Sequence, residues 1–234
     1  VTSNDLKIVI SVPTLDVVPS EVLPGLLIAA AEVGRVGNPM VMCPVNLKPH
    51  DRARNWAMQN ALNYDANLLW FIDSDTDVPP GSFGRLKEVM DRTGAVIVAG
   101  YYLQRGYPFL STWAVVADDG KMNYRMVGDT TSDPIKLDAC GMGCTLINVD
   151  WVRENMDDLD GKWFKLTEKN NRRVWEDVYF CMRASERGGT IFGDPRVVGR
   201  HLYERIFVTP ENAAELRRVQ ILKRHQETEE WDND

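Results

Sequence analysis

The run Asn67 to Ile72 (NLLWFI) sets large apolar residues in succession and leads straight into Asp73-Ser74-Asp75-Thr76-Asp77. A strand with one wet face alternates polar and apolar residues. A run without alternation belongs to a strand covered on both faces. Leu6 to Val12 (LKIVISV) and Ala95 to Ala99 (AVIVA) have the same character, and Pro39 to Pro44 (PMVMCP) reads as a second short strand. Between these runs lie segments with helical spacing. Ser20 to Gly34 has Pro24 near its start and Gly34 at its end, Asp51 to Ala66 follows, and Gly81 to Thr93 comes after the break at Pro79-Pro80. Strand and helix alternating through the first hundred residues predict a mostly parallel sheet with helices on both faces.

Past residue 100 the pattern shortens. Ser111 to Val116 and Tyr124 to Val127 flank an Asp118-Asp119-Gly120 turn, a hairpin signal. Lys136 to Val149 is apolar and punctuated by glycine, and Trp151 to Met156 opens a short helix. Trp175 to Arg187 reads as a helix stopped by Gly188-Gly189, before a strand over Thr190 to Phe192. Thr209-Pro210-Glu211 opens the last helix with Thr as N-cap, and the chain ends in the acidic stretch Glu227 to Asp234. The expected organisation is one domain over 1–208, divided into halves 1–100 and 101–208, followed by a C-terminal helix and tail over 209–234.

A formal charge of −7 removes the broad basic footprint of a nucleic-acid binder, although a local basic groove is compatible with it. No apolar run approaches the roughly 18–20 residues that cross a bilayer, and Val1 to Lys7 does not form a signal peptide. The four cysteines, Cys43, Cys140, Cys144 and Cys181, form no CxxC pair and no regular framework. Reduced, mostly buried thiols in a cytoplasmic protein are expected, with membrane contact at most peripheral.

The acidic cluster is placed where chemistry is done. In open α/β sheets ligands bind beyond the carboxyl ends of the strands. Two carboxylates two residues apart can hold one hard cation, and Mg²⁺ or Mn²⁺ keeps part of its shell for phosphate oxygens. The plain alternative is a solvated turn in which Asp73 or Asp77 caps the next helix. A haloacid-dehalogenase type of phosphatase also places Asp-x-Asp after a strand, but it wants Thr where this chain has Asp77, and it usually opens the domain.

Further elements stand in a fixed order around this cluster. Asp51-Arg52-Ala53-Arg54-Asn55 precedes it; Gly141-Met142-Gly143, Trp175-Glu176-Asp177-Val178-Tyr179-Phe180 and Gly199-Arg200-His201 follow. Together they resemble the GT-A-fold glycosyltransferases, in particular family 2-like members, over roughly residues 6 to 203. The resemblance implies an α/β GT-A fold, with a Rossmann-like central sheet and a smaller antiparallel acceptor-side region. It implies a nucleotide-sugar-binding half over 1–100 and an acceptor and catalytic half over 101–208. The implied activity is transfer of a sugar from a UDP- or GDP-sugar to an acceptor hydroxyl with Mn²⁺ or Mg²⁺, by inversion.

Carried over residue by residue, Pro13, Thr14 and Asp16 contact the nucleotide, with Arg54, or in its place Arg52, on the donor base or diphosphate. Asp73 and Ser74 lie near the ribose, Asp75 and His201 hold the metal, and Asp77 is a further carboxylate able to join through water. Asp177 resembles the catalytic base of inverting members, with Glu176 orienting base or acceptor. Arg105, Gly141, Met142, Gly143 and Trp163 fall on the acceptor side. Each has a plain counterpart: Glu176-Asp177 as first-turn anions, His201 as a satisfied structural histidine, Arg54 and Arg105 as solvated cations, Trp163 as core. A retaining transferase, a sugar-1-phosphate nucleotidyltransferase and a non-catalytic nucleotide- or carbohydrate-binding relative stay open. So does the acceptor, which on sequence is a glycan, a lipid-linked sugar, a small molecule or a nucleic-acid base.

Overall fold

The computed structural model describes residues 6–14, 17–44, 49–117, 122–125, 132–169, 172–203 and 205–220. In its first half run β1 (Lys7–Ser11), α1 (Leu23–Val36), β2 (Asn38–Met42), α2 (His50–Asn63), β3 (Leu68–Ile72), β4 (Thr76–Asp77), α3 (Ser82–Thr93) and β5 (Ile97–Tyr101). Then come β6 (Trp113–Val116), β7 (Met122–Tyr124), β8 (Ile135–Leu137), β9 (Ala139–Cys140), β10 (Cys144–Asn148) and α4 (Val149–Asn155). After them are β11 (Thr167–Lys169), β12 (Arg172–Val174), α5 (Glu176–Glu186), β13 (Ile191–Val198), β14 (Arg200–Tyr203) and β15 (Ile206–Val208). A last helix occupies 213–220.

Seven strands form the main sheet in the order β2-β1-β3-β10-β5-β13-β8. β2, β1 and β3 are parallel, as are β5 and β13, whereas β10 runs antiparallel between β3 and β5. β8 closes one edge antiparallel to β13. Because side chains alternate across a strand, the unbroken apolar runs feed two cores. Leu69 and Phe71 of β3 pack with Ala57 and Met58 of α2 and Phe180 of α5. Trp70 and Ile72 pack on the opposite face with Val33 of α1 and Leu86 of α3. The expected α/β sandwich is therefore present, and no described helix is long and apolar enough to cross a membrane.

The helices start and stop for local reasons. α1 begins on Pro24, whose missing N–H costs nothing in a first turn. α3 lies between Gly81 and Gly94, both in the left-handed region at φ 81° and 68°, which glycine adopts freely. Before the last helix, the Thr209 amide donates to Asn212 Oδ1 at 2.9 Å and the Asn212 amide donates back to Thr209 Oγ1 at 3.4 Å.

Two features exceed what periodicity predicts. The strand expected over Thr190 to Phe192 continues through Gly193-Asp194-Pro195 to Val198, with a register shift against β5 between Asp194 and Val198. The irregularity hides the strand from a pattern search; a buried Asp194 carboxylate, bound to Arg196 at 2.8 Å, stabilises it. The second feature is a three-stranded sheet, β15-β14-β4, which pairs Arg200 with Asp77 and His201 with Thr76. It joins the acidic turn to a segment more than a hundred residues later.

Gly193 faces the Trp113 ring, and a Cβ there would lie 2.5 Å from it. Trp113 cannot withdraw, being fully buried with its indole N–H on the Gly100 carbonyl at 2.9 Å. Gly193→Ala is expected to cost roughly 1–3 kcal/mol by overpacking. Gly84→Ala, on an open helical position, should be neutral or stabilise by up to ~1 kcal/mol. Urea denaturation of the two variants checks this, and equal midpoints would contradict the packing assigned to Trp113.

Candidate functional site

The acidic turn leaves the sheet between β1 and β10, at the carboxyl end of β3. The Asp73 amide donates to the Gly143 carbonyl at 3.1 Å, and the Thr76 amide to the Asp73 carbonyl at 2.9 Å, so the turn is tied to the Gly-rich loop. Behind it sits Arg54 of α2, only 6% exposed. Its Nη1 and Nη2 donate to the two oxygens of Asp73 at 3.1 and 3.2 Å, and Nε donates to Glu176 Oε1 at 3.4 Å. The guanidinium also stacks over Phe71 with Cζ 5.3 Å from the ring centre. Burial works against its charge, but Asp73 and Glu176 outweigh that and raise its pKa.

One cation here faces more than one anion, and Asp177 carries the excess. Burial, followed by the adjacent Glu176 charge, pushes its carboxyl from 3.8 up to about 6; Arg54 and the Val178 amide, which donates to Oδ1 at 2.7 Å, only partly offset this. A carboxylate titrating near 6 is suited to taking a proton close to neutrality.

Asp75 faces His201 across the short β4–β14 pairing. His201 Nε2 lies 3.3 Å from Asp75 Oδ1, while Nδ1 lies 2.9 Å from the Leu103 carbonyl. With Nδ1–H donated to that carbonyl, Nε2 is the nitrogen turned toward Asp75, where a proton shared with the carboxylate would have to leave before the nitrogen could serve as a ligand. Burial alone would raise the Asp75 carboxyl and lower the His201 imidazolium. Their mutual hydrogen bond and charge win, so Asp75 titrates below and His201 above its ordinary value. Arg105 binds the other Asp75 oxygen and contributes to that lowering.

Among the described residues no group of three or more His, Cys, Asp and Glu side chains converges on a cation position. The Asp75–His201 pair fits Mn²⁺ or Mg²⁺ nonetheless, because one hard oxygen and one imidazole suffice for an ion that completes its shell with phosphate oxygens and water.

Two cavities meet at this centre. One, of about 400 Å³, is lined by Pro13, Thr14, His50, Ser74, Asp75 and Glu176. The other, of about 550 Å³, is lined by Tyr124, Gly141, Met142, Arg173, Trp175 and Asp177. Arg54, Asp73, Arg105 and His201 line both. Glu176 and Asp177, neighbours in the first turn of α5, thus serve different cavities.

The structure brings together Pro13, Thr14, Arg54, Asp73, Ser74, Asp75, Arg105, Gly141, Met142, Glu176, Asp177 and His201. Asp16 lies outside the described residues. Arg52 is exposed on α2 and lines neither cavity, so Arg54 is the arginine at the centre. Arg54 itself faces Asp73 and Glu176 instead of standing free for a phosphate.

Three residues sit elsewhere than expected. Asp77 accepts from Arg200 Nε at 3.0 Å and lies against Gly25, where an added Cβ would fall 2.3 Å from its Oδ1. It is therefore turned away from the cation pair. Trp163 is core, 5% exposed, with its indole N–H donating to the Met156 carbonyl at 3.2 Å. Gly143 lines neither cavity; its amide donates to Tyr102 Oη at 2.6 Å, and a Cβ would lie 2.7 Å from that oxygen.

Sequence reading missed the β11–β12 hairpin, whose end delivers Arg173 and Trp175 to the larger cavity. It did not foresee that Tyr102 packs edge-on to His201, nor the role of Asn55. Asn55 Nδ2 donates to the Phe164 carbonyl at 2.7 Å and its Oδ1 accepts from the Phe164 amide at 2.8 Å, holding Phe164 against Phe71 and Phe180. An Arg-x-x-Asn-like spacing cannot announce such a long-range clamp.

The fold is of the GT-A α/β type. The crystal structure of A197 from STIV superposes with a TM-score of 0.57 and 17% identity, covering 88% of this chain and 91% of that one. The crystal structure of GalNAc-T7 with UDP, GalNAc and Mn²⁺ gives 0.51 and 14%, covering 86% of this chain and 45% of that one. At these identities the likeness is one of fold. No protein-family model and no curated protein sequence matches the chain.

The raised Asp177 pKa has a stability consequence. Between 3.8 and about 6 the folded chain holds a proton on Asp177 that the unfolded chain has released, so this group's contribution falls as pH rises through that window. Asp177→Asn is expected to stabilise the protein relative to wild type, by roughly 1–2 kcal/mol more at pH 8 than at pH 4.5. Urea unfolding at both values measures this; a difference independent of pH would show that Asp177 is not held up by its surroundings.

Proposed function

We propose that the chain is a metal-dependent glycosyltransferase, moving a sugar from a UDP- or GDP-sugar to an acceptor hydroxyl with inversion. The observation that carries the reading is the division of the site: two cavities share the Arg54–Asp73 and Arg105–His201 centre, and a carboxylate raised to about 6 faces only the larger. The smaller cavity, formed mainly by residues of 1–100, receives the nucleotide. The larger, formed mainly by 101–208, receives sugar and acceptor. The fold supports this reading, and so does the neighbour whose crystal structure holds UDP, GalNAc and Mn²⁺.

In this mechanism Asp73 and Ser74 border the ribose, and Asp75 with His201 would hold a divalent cation, which would supply positive charge to the departing diphosphate. Arg105, exposed and at the junction of the cavities, adds positive charge on the same side. Asp177 accepts the proton of the acceptor hydroxyl as its oxygen forms the new bond to C1; the old C1–O bond breaks, and its electron pair leaves with the diphosphate. Glu176 acts through Arg54, keeping the guanidinium between two carboxylates so that Asp177 lacks a full counter-charge. Tyr102 anchors the Gly-rich loop by accepting from the Gly143 amide.

Thermal-shift measurements with UDP and GDP, each with and without Mn²⁺, test the donor assignment. One nucleoside diphosphate should raise the melting temperature, more with Mn²⁺ than without, and Asp75→Ala should abolish the Mn²⁺-dependent part. Absence of any shift defeats the proposal. With a turned-over donor, kcat/KM should rise with pH to a plateau above about 6, and Asp177→Asn should lower it by roughly 10²–10⁴-fold. Proton NMR of the product should show an inverted anomeric centre; retention would remove Asp177 as the base.

A further inference from the structure

The larger cavity has a feature that neither nucleotide binding nor proton transfer uses. Arg173, the central residue of β12, stacks its guanidinium on Trp175 with Cζ 4.8 Å from the ring centre. Trp175 is 53% exposed, both residues line the cavity, and Asp177 follows two positions later in the first turn of α5. A large aromatic exposed on a cavity wall next to a candidate catalytic carboxylate is a platform for a sugar face.

Glu168 lies opposite Arg173 in the β11–β12 ladder but forms no ion pair with it, and the cavity offers no other carboxylate free to pair with it. Of the carboxylates lining the cavity, Asp73 is bound to Arg54, and Asp177 belongs to the reacting end. Arg173 makes no ion pair among the described residues, whereas Arg105, across the cavity, is held by Asp75. Cation–π contact orients a guanidinium without neutralising it, leaving its N–H fork open to a planar or tetrahedral anion.

We propose that the acceptor is an anionic sugar: its ring stacks on Trp175, its attacking hydroxyl reaches Asp177, and its carboxylate or phosphate is read by Arg173. This rests on the transferase reading above, but it predicts binding that requires neither donor nor turnover. A neutral sugar would gain only the stacking. An anionic one gains a charge-assisted bond at the cavity rim, where desolvation costs little.

Saturation-transfer NMR and tryptophan-fluorescence titrations on the full chain test this, with methyl β-glucuronide, glucose 6-phosphate and the neutral methyl β-glucoside as probes. At least one charged probe should bind roughly ten- to a hundred-fold more tightly than the glucoside. Which one does so distinguishes a carboxylate from a phosphate acceptor. Arg173→Gln should abolish the difference between charged and neutral probes, and Trp175→Ala should weaken all three. Arg35→Gln, with the same change in net charge at the end of α1 and outside both cavities, should leave the preference intact.

Equal binding of charged and neutral probes, no binding of any, or equal losses in Arg173→Gln and Arg35→Gln would each overturn the proposal. Circular dichroism confirms that the variants are folded. Failure of every nucleoside diphosphate to bind would instead count against the transferase reading, leaving the charge preference to stand or fall on its own.

Discussion

A buried guanidinium must be matched, and the position of Arg54 organises the centre of this protein. Removing a cation from water costs several kcal/mol unless carboxylates meet it with good geometry. Asp73 does so in a two-pronged manner and Glu176 from one side, so α2, β3 and α5 converge on one point at the carboxyl end of the sheet. The arrangement also explains Asp177. One positive charge shared between two nearer carboxylates cannot fully serve a third, and the third, desolvated, is pushed toward neutrality. The ion pair that secures the scaffold thus leaves the neighbouring Asp177 carboxyl raised.

A second constraint sets the other half of the centre. β4 is only two residues long, and its pairing with β14 depends on side chains as well as on its ladder. Arg200 binds Asp77 and stacks over Phe207 with Cζ 4.5 Å from the ring, while Gly25 of α1 leaves room for the Asp77 carboxylate. With Asp77 and Arg200 opposite one another, the preceding Asp75 and the following His201 come within reach. The third carboxylate of the acidic turn therefore serves the cation pair indirectly, by fixing the register that creates it.

These two constraints differ in how far the sequence reveals them. NLLWFI, LKIVISV and AVIVA announce a doubly covered sheet because a one-faced strand could not tolerate them, and the acidic turn is legible because it follows such a run. Glu176-Asp177 is legible as anions at a helix start. What is not legible is pairing. Nothing local tells that β10 enters the middle of the sheet antiparallel, or that β13 continues past Pro195. Trp163 and Trp175 are both tryptophans near the expected acceptor region, yet one is core and the other is on a cavity wall. The difference is made by the Met156 carbonyl, which the indole N–H of Trp163 reaches across a turn that composition does not encode.

The same contrast explains the division of labour between the halves of the chain. The smaller cavity is built at strand ends, where backbone hydrogen bonds hold Thr14 and Asp73 to Asp75 in place. On the proposed reading a diphosphate and a cation present the same geometry in any donor, so a rigid edge suits them. The larger cavity is lined from short pieces, β6-β7-β9 and the β11–β12 hairpin with the residue that follows it, which carry Tyr124, Arg173 and Trp175. Of these, β6 and β9 place Trp113, Ala114, Ala139 and Cys140 in one core, whereas the described residues of the β11–β12 hairpin belong to neither, and Phe164 before the hairpin is anchored independently by Asn55 and stacked on Phe180. On the proposed reading acceptor selectivity belongs to Arg173 and Trp175, outside both cores, while Arg54, which lines both cavities and is bound by Asp73 and Glu176, is the residue the architecture can least replace.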